Sequence, residues 1–286
     1  MSAIGANDAV PLIRIFHPSD FSGASRVAFA HALKLALESK AELEIMHVTR
    51  DLVANADVHW TDFPGVRSTL ARWGILPEEA RREEVAKTGM EVKKIVLTGA
   101  DPVESMLQYC RRHPPDLLVL ATHQREGLGR WLHKQIAEPL ARKSRAMTLF
   151  VPHEGKGFIS LENGAVTLRK ILIPVDHEPS GQSALEEAFF LAVGLKCTAV
   201  EFRLFHVGTD RGMPSLALPH RPGWKWEERL VQGDAIDRIL QEEAEWSPDL
   251  IALTTQGHLD FLDALRGSTT ERVLRGARCP VLAVPA

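Results

Sequence analysis

The chain has 286 residues, 45% hydrophobic and 25% charged, with a net charge of −3. That length suits about two domains and that balance suits ordinary globular cores, while so small a net charge gives neither nucleic acid nor an anionic membrane a reason to bind. No apolar run approaches the roughly 18 residues that cross a bilayer, and no basic segment leads into one at the N-terminus, so neither a membrane span nor secretion is expected. Cys110, Cys197 and Cys279 lie in apolar stretches without metal-ligand spacing, which suits reduced, buried thiols in a cytoplasmic protein.

Leu12 to His17 reads as a short strand ended by Pro18 and Asp20. A helix follows, with Val27, Ala30, Leu33 and Leu37 on one face and Arg26, Lys34 and Glu38 on another. Leu43 to Val48 is a second strand. A longer section then carries Trp60, Pro64 and a helix from Glu79 to Lys87, whose Glu78–Arg82 and Glu83–Lys87 spacings describe a solvated face. Val92 to Leu97 is a third strand. Asp101-Pro102 opens the next helix, with a capping carboxylate and then proline at the first helical position. That helix buries Val103, Met106, Leu107 and Cys110 and stops at Pro114-Pro115. Leu117 to Leu120, a helix to about Ser144 and Thr148 to Val151 complete the half.

The plan then repeats. Pro115-Asp116 and Pro248-Asp249 differ by 133 positions, as do Asp101 and Asp234, Glu138 and Glu271, and Pro152 and Pro285. Pro18 and Asp20 return at an offset of 156 as Pro174 and Asp176, and His47-Val48 returns at 159 as His206-Val207. Spacings this long mean duplicated domains, because solenoid repeats run to only about 20–50 residues. We divide the chain into domains 1–153 and 169–286, joined by a hairpin over 154–168 that turns at Asn163-Gly164. Strands alternating with helices imply, in each half, a doubly wound, mostly parallel α/β sheet of about five strands. The second half is shortened: His47 to Asp101 spans 54 positions but His206 to Asp234 only 28. A proline- and glycine-rich loop and the segment WKWEERLV replace about one helix, and the sheet face it leaves bare must be covered, either by the rings of Trp224 and Trp226 or by a neighbouring surface.

Near the C-terminus, the strand from Leu250 to Leu253 enters a loop with Gly257, and Gly267-Ser268 opens a helix nine residues later. Glycines before a helix N-terminus suit a phosphate, since backbone N–H groups come close and the helix start attracts negative charge. Ser268 and Glu271 also have the spacing of a capping box, which accounts for Ser268 without any ligand.

Thr254-x-x-Gly257, nine residues, then Gly267-Ser268 resembles the glycine signature of the universal stress protein family. KILIPVD from Lys170, HPSDFS in the first half and the ending ARCPVLAVP add to the resemblance, and together with the duplication they resemble a tandem universal stress protein. The resemblance implies two pseudo-twofold-related sheets of strand order 3-2-1-4-5, in the adenine nucleotide alpha hydrolase-like fold. It implies that Pro174, Val175, Asp176 and Val207 contact adenine and ribose, and that Gly257, Gly267, Ser268 and Thr269 hold the phosphates of ATP or another adenine nucleotide, with Mg²⁺. It also implies last strands that pair edge to edge, a homodimer or another protein partner, and a stress-response role. Ligand binding where strand order reverses is independently sensible for an open parallel sheet.

Two departures bear on the site. Thr254 stands where the signature has its first glycine, and its branched side chain crowds a close backbone approach. In the first half the four positions read Ala121, Gln124, Lys134 and Gln135, and Pro139 removes an N–H from the helix. A charge-assisted phosphate contact contributes about 1.5–3 kcal/mol and micromolar binding needs about 8 kcal/mol. The expectation is therefore no nucleotide in the first half and a weakened site in the second. No catalytic or metal-binding set can be assembled from the sequence, which leaves a binding and signalling protein rather than an enzyme. A nucleotide-free scaffold and a slow ATP hydrolase stay open as alternatives.

Overall fold

Apolar runs and helical stripes alternate along the chain, and the computed structural model turns them into two α/β units. It describes residues 12–22, 25–49, 63–122, 137–153, 157–208, 212–255 and 269–286. One unit consists of Pro11–Glu154 with Ile159–Ala165, and the other is built on Gly155–Phe158 and Val166–Ala286.

In the first unit the elements are β1 (Arg14–Pro18), α1 (Ser25–Ser39), β2 (Glu42–Thr49), α2 (Val66–Arg72), α3 (Arg82–Ala86), β3 (Glu91–Thr98), α4 (Pro102–Arg112), β4 (Leu117–Thr122), α5 (Ala137–Ser144) and β5 (Met147–Pro152). The strands run β3-β2-β1-β4-β5, all paired in parallel. The first five residues of β4 are all buried, as expected of a parallel strand covered on both faces. The order reverses between β1 and β4, where Ile15 is in register with Leu117. Helix α2 was not foreseen. With seven residues and only Val66, Thr69 and Leu70 buried, it is too short to show a helical period. Helix α3 begins three residues later than the predicted Glu79.

The second unit contains β6 (Lys170–Pro174), α6 (Gln182–Gly194), β7 (Glu201–Val207), β8 (Lys225–Val231), α7 (Ala235–Trp246), β9 (Leu250–Thr255), α8 (Thr269–Gly276) and β10 (Val281–Pro285). Its strand order is β8-β7-β6-β9-β10, again parallel throughout. Ile171 is in register with Leu250, which repeats the Ile15–Leu117 match at the offsets found in the sequence. Between β2 and β3 the first half has α2 and α3, and between β7 and β8 the second half has no helix among the described residues; there Trp226 stacks on Phe202 with ring centroids 4.2 Å apart. Trp224 meets Phe189 edge-on at 4.9 Å, and the preceding loop is tied down by reciprocal bonds between Gln182 and Ala217.

The repeated acidic residues have structural work. Asp116 Oδ2 accepts from the N–H groups of Ile13 and Arg14, both at 2.8 Å. Asp249 Oδ2 accepts from Arg169 at 2.8 Å and Lys170 at 3.0 Å. Each Pro-Asp pair thus clamps the first strand of its half. Asp101 and Asp234 cap α4 and α7 by accepting from two N–H groups each. At Gly164, with φ of +67°, an added Cβ would lie 2.5 Å from the Trp73 ring, so the turn after Ser160 needs glycine for conformation and for space.

Candidate nucleotide site at the strand ends of the second half

β6 and β7 end side by side, and the residues just beyond them hold one another in place. Val175 N–H donates to the Phe205 carbonyl at 2.9 Å. His206, the penultimate residue of β7, is buried, and its Nδ1 lies 2.9 Å from the Val175 carbonyl oxygen. A carbonyl only accepts, so Nδ1 carries the proton. A Cβ on Gly208 would fall 2.5 Å from Nε2 of the same ring, so glycine there lets the chain pass over the histidine. The His177 ring stands at 86° to His206 with centroids 5.5 Å apart, and its Nε2 is 3.2 Å from the Gly212 carbonyl oxygen. Gly181 packs so tightly that a Cβ would approach Val175 Cγ1 to 2.6 Å.

Among the residues singled out from the sequence, Pro174 closes β6, Val175 is buried, and Val207 closes β7 while packing on the core. Asp176 is exposed; one of its oxygens accepts from His177 N–H at 2.7 Å and lies 4.0 Å from His206 Nδ1. Thr254 lies in β9, and its hydroxyl oxygen accepts from Ala184 N–H in the first turn of α6 at 3.3 Å. Its side chain is thereby used as a helix cap. Gly257, Gly267 and Ser268, with the Ser268–Glu271 spacing, lie outside the described residues; Thr269 opens α8. From the sequence His206 stands out as a repeated residue and, with His258, as one of two histidine pairs that could meet on a metal, a reading set below that of a surface or core histidine; His258 lies outside the described residues. The recurrence of His206 at the position of His47 was the available signal for a shared structural role.

The first half makes the same bonds and then fills the space above them. Ser19 N–H donates to Met46 O at 2.8 Å, and His47 Nδ1 is 2.8 Å from Ser19 O. Phe21 takes the place of His177, adopts a φ of +62° and stacks on His47 at 4.1 Å. Phe63 meets Phe21 edge-on at 5.1 Å, and Lys94 sits over the Phe63 ring. Asp20 spends its carboxylate on Ser22, accepting from N–H at 3.0 Å and from the hydroxyl at 2.6 Å.

No activated nucleophile is found among the described residues. Burial raises the Cys110 thiol to about 12 and the Cys197 thiol to about 11, and it pushes Cys279 higher still. Desolvation lowers His17 and His31 to about 4, so both are neutral core residues. No cluster of three or more His, Cys, Asp or Glu suited to a metal ion occurs among the described residues, and none of their helices is long and apolar enough to cross a membrane.

The family model of the universal stress proteins matches residues 14–152 and 216–285. The chain belongs to this family. Universal stress protein YxiE of Bacillus subtilis (strain 168) is 25% identical over 141 residues, covering 46% of this chain and 93% of the relative. That span corresponds to about one half of the present molecule. A universal stress protein of Archaeoglobus fulgidus DSM 4304 superposes with a TM-score of 0.62 at 16% identity, covering 95% of this chain and 98% of the other. A protein of unknown function from Pseudomonas aeruginosa PAO1 gives 0.59 at 14% identity, covering 96% and 92%. At such identities the superpositions establish the universal stress protein fold and nothing finer.

Proposed function

We propose that domain 169–286 holds an adenine nucleotide and that the chain acts in the cytoplasm by binding and signalling, with domain 1–153 as its structural partner and 154–168 as the connecting hairpin. One observation carries this reading: the family-matched segment 216–285 contains Gly257 and Gly267-Ser268, and β9, the strand that precedes them in sequence, pairs with β6, which in turn pairs with β7. Asp176 suits a ribose hydroxyl because its carboxylate faces solvent at a strand end. Both backbone groups of Val175 are already engaged, its N–H by Phe205 and its carbonyl by His206, so Val175 offers the base its side-chain surface and polar recognition falls to the remaining backbone groups of Asp176, His177 and Val207. Thr254 supports a weakened site, since a side chain committed to capping α6 occupies a position where the signature has none. The stack of Phe21, His47 and Phe63 supports a first half without nucleotide.

Calorimetric titration of ATP with Mg²⁺ into the purified chain tests this. Binding weaker than about 10 µM is expected, at most about 7 kcal/mol, with loss of heat in Gly267→Val and no change in Lys134→Val. Absence of heat and of thermal stabilisation at several millimolar ATP would favour a nucleotide-free scaffold. Phosphate release that scales with protein and disappears in Ser268→Ala would favour a slow hydrolase.

A further inference from the structure

One buried polar seat differs between the halves in a way that the fold does not require. In the second half Arg203 on β7 is in register with Glu227 on β8 and bonds to it through Nε at 3.0 Å. It also pairs with the buried Glu242 of α7, which accepts further from Arg229 at 2.7 Å. Charges on two strands and a helix balance one another. In the first half the same three positions hold Glu44 on β2, Lys93 on β3 and Tyr109 on α4. The signs on the strands are reversed, but Lys93 does not answer Glu44. Its ammonium bonds to Glu42, the next residue on that face of β2, which also takes Arg14 Nε at 3.2 Å.

Glu44 is left with 1% exposure. Its Oε1 accepts from the Tyr109 hydroxyl at 2.7 Å, Arg14 Nε stands off at 3.7 Å, and no group donates to Oε2. A buried carboxylate oxygen without a donor is costly. A proton on Oε2 removes the cost and gives the adjacent Glu42 carboxylate a donor. Like charges sharing a buried site separate in this way, one ionised and one protonated.

We propose that the Glu42–Glu44 pair beneath Tyr109 is a proton-operated latch, in which uptake of one proton seats α4 firmly on β2 in the first half, while the Arg203–Glu242 seat gives α7 and β7 of the second half no such response. Burial raises Glu44 to about 7, helped by the adjacent Glu42; the Tyr109 hydroxyl and Arg14 favour the carboxylate, but burial outweighs them. Burial opposes ionisation of Glu42 too, but hydrogen bonds with Lys93, Glu44 and Arg14 together hold its carboxyl below the ordinary range. The other groups facing the seat are Cys110, whose thiol stays protonated, and His113, which stacks on the Tyr109 ring at 4.5 Å.

The direction follows from linkage. The folded state holds the Glu44 proton more tightly than the unfolded chain, so the latch contributes fully at pH below the ordinary carboxylate value and is lost as pH rises through about 7. Glu44→Gln keeps the acceptor for Tyr109 and supplies permanently the donor that the proton supplies. Amide hydrogen exchange of the full chain, read in peptides covering β2 and α4 from pH 5 to 8.5 and corrected for intrinsic rates, compares it with wild type. The difference cancels the opposing titration of His17 and His31 in the same half. The protection of Glu44→Gln over wild type should widen at least about tenfold with rising pH, the equivalent of one pKa unit, and then stay constant. Peptides covering β7 and α7 should show no such difference. A gap that stays constant across the range would overturn the proposal. Should the variant fold poorly, an infrared titration of Glu187→Gln decides, since burial also raises the Glu187 carboxyl: a protonated carboxyl band persisting to near pH 7 in that variant supports the latch, and complete ionisation by about pH 5 removes it.

Discussion

Where α4 of the first half buries Cys110, α7 of the second buries Glu243, and the loop before the last strand is secured in two different ways. Glu243 Oε1 accepts from the N–H groups of Arg278 at 2.6 Å and Cys279 at 3.0 Å. In the first half Ser144, within that loop's own approach, accepts from Ala146 N–H through its hydroxyl at 3.3 Å. One half uses a long-range ionic hydrogen bond and the other a local neutral one. The backbone plan was therefore kept by different side chains, and the halves should fail under different substitutions.

The largest effect is expected at Glu243. Changing it to Ala strips two N–H groups of a charged acceptor worth about 1.5–3 kcal/mol each, so urea denaturation should show the second half losing about 3 kcal/mol or more. Cys110→Ala, which removes only a small buried group, should cost well under half of that. Next comes Arg203→Ala, which leaves Glu242 buried with only Arg229 for company. Removing one partner of a buried pair costs about 3–5 kcal/mol, and the surviving Arg229 bond argues for the lower end, seen as earlier melting of the second half by calorimetry. Gly181→Ala should then cost about 1–3 kcal/mol by overpacking against Val175, and it should weaken any nucleotide heat by displacing the residue next to Asp176. The smallest effect tests symmetry rather than difference. Asp101→Ala and Asp234→Ala each remove a helix cap, and both should cost about 1 kcal/mol. Unequal costs would mean that the shared frame is less equivalent than its bonds indicate.

Acid unfolding offers a further contrast. His17 and His31 are held at about 4 by burial, so the unfolded chain takes up protons first. Their contribution is complete above the ordinary histidine value of about 6.5 and declines as pH falls toward 4. The first half alone carries both residues, and in an acid titration followed by exchange it should lose this contribution while the second half does not.

Much of this organisation could be read from the residues. The constant offset of 133 positions required two copies of one plan, and the alternation of strand and helix required parallel sheets. Asp101 and Asp234 announced helix starts because a cap acts on neighbours two and three residues away. Pro115-Asp116 and Pro248-Asp249 were visible as repeats, but their clamping bonds were not, since their partners lie far away in sequence. The Glu44 seat was hidden for a related reason: a glutamate in a strand looks the same whether its partner is Lys93 or Tyr109. That the shortened half needs a cover was legible because a bare parallel sheet face must be buried, but the residues left open whether Trp224 and Trp226 or a neighbouring surface supplies it. Of the site, the ends of β6 and β7 were legible from KILIPVD and the His-Val repeat. The role of Thr254 as a cap for α6 was not, because it depends on how that helix packs.

The Asp116 clamp reaches back 102 positions to Arg14. On a ribosome, which adds roughly 5–20 residues each second, the opening strand must wait several seconds before the carboxylate that secures it has been translated. The first half can then close while its sequel is still being made, and each sheet acquires its founding strand late rather than early.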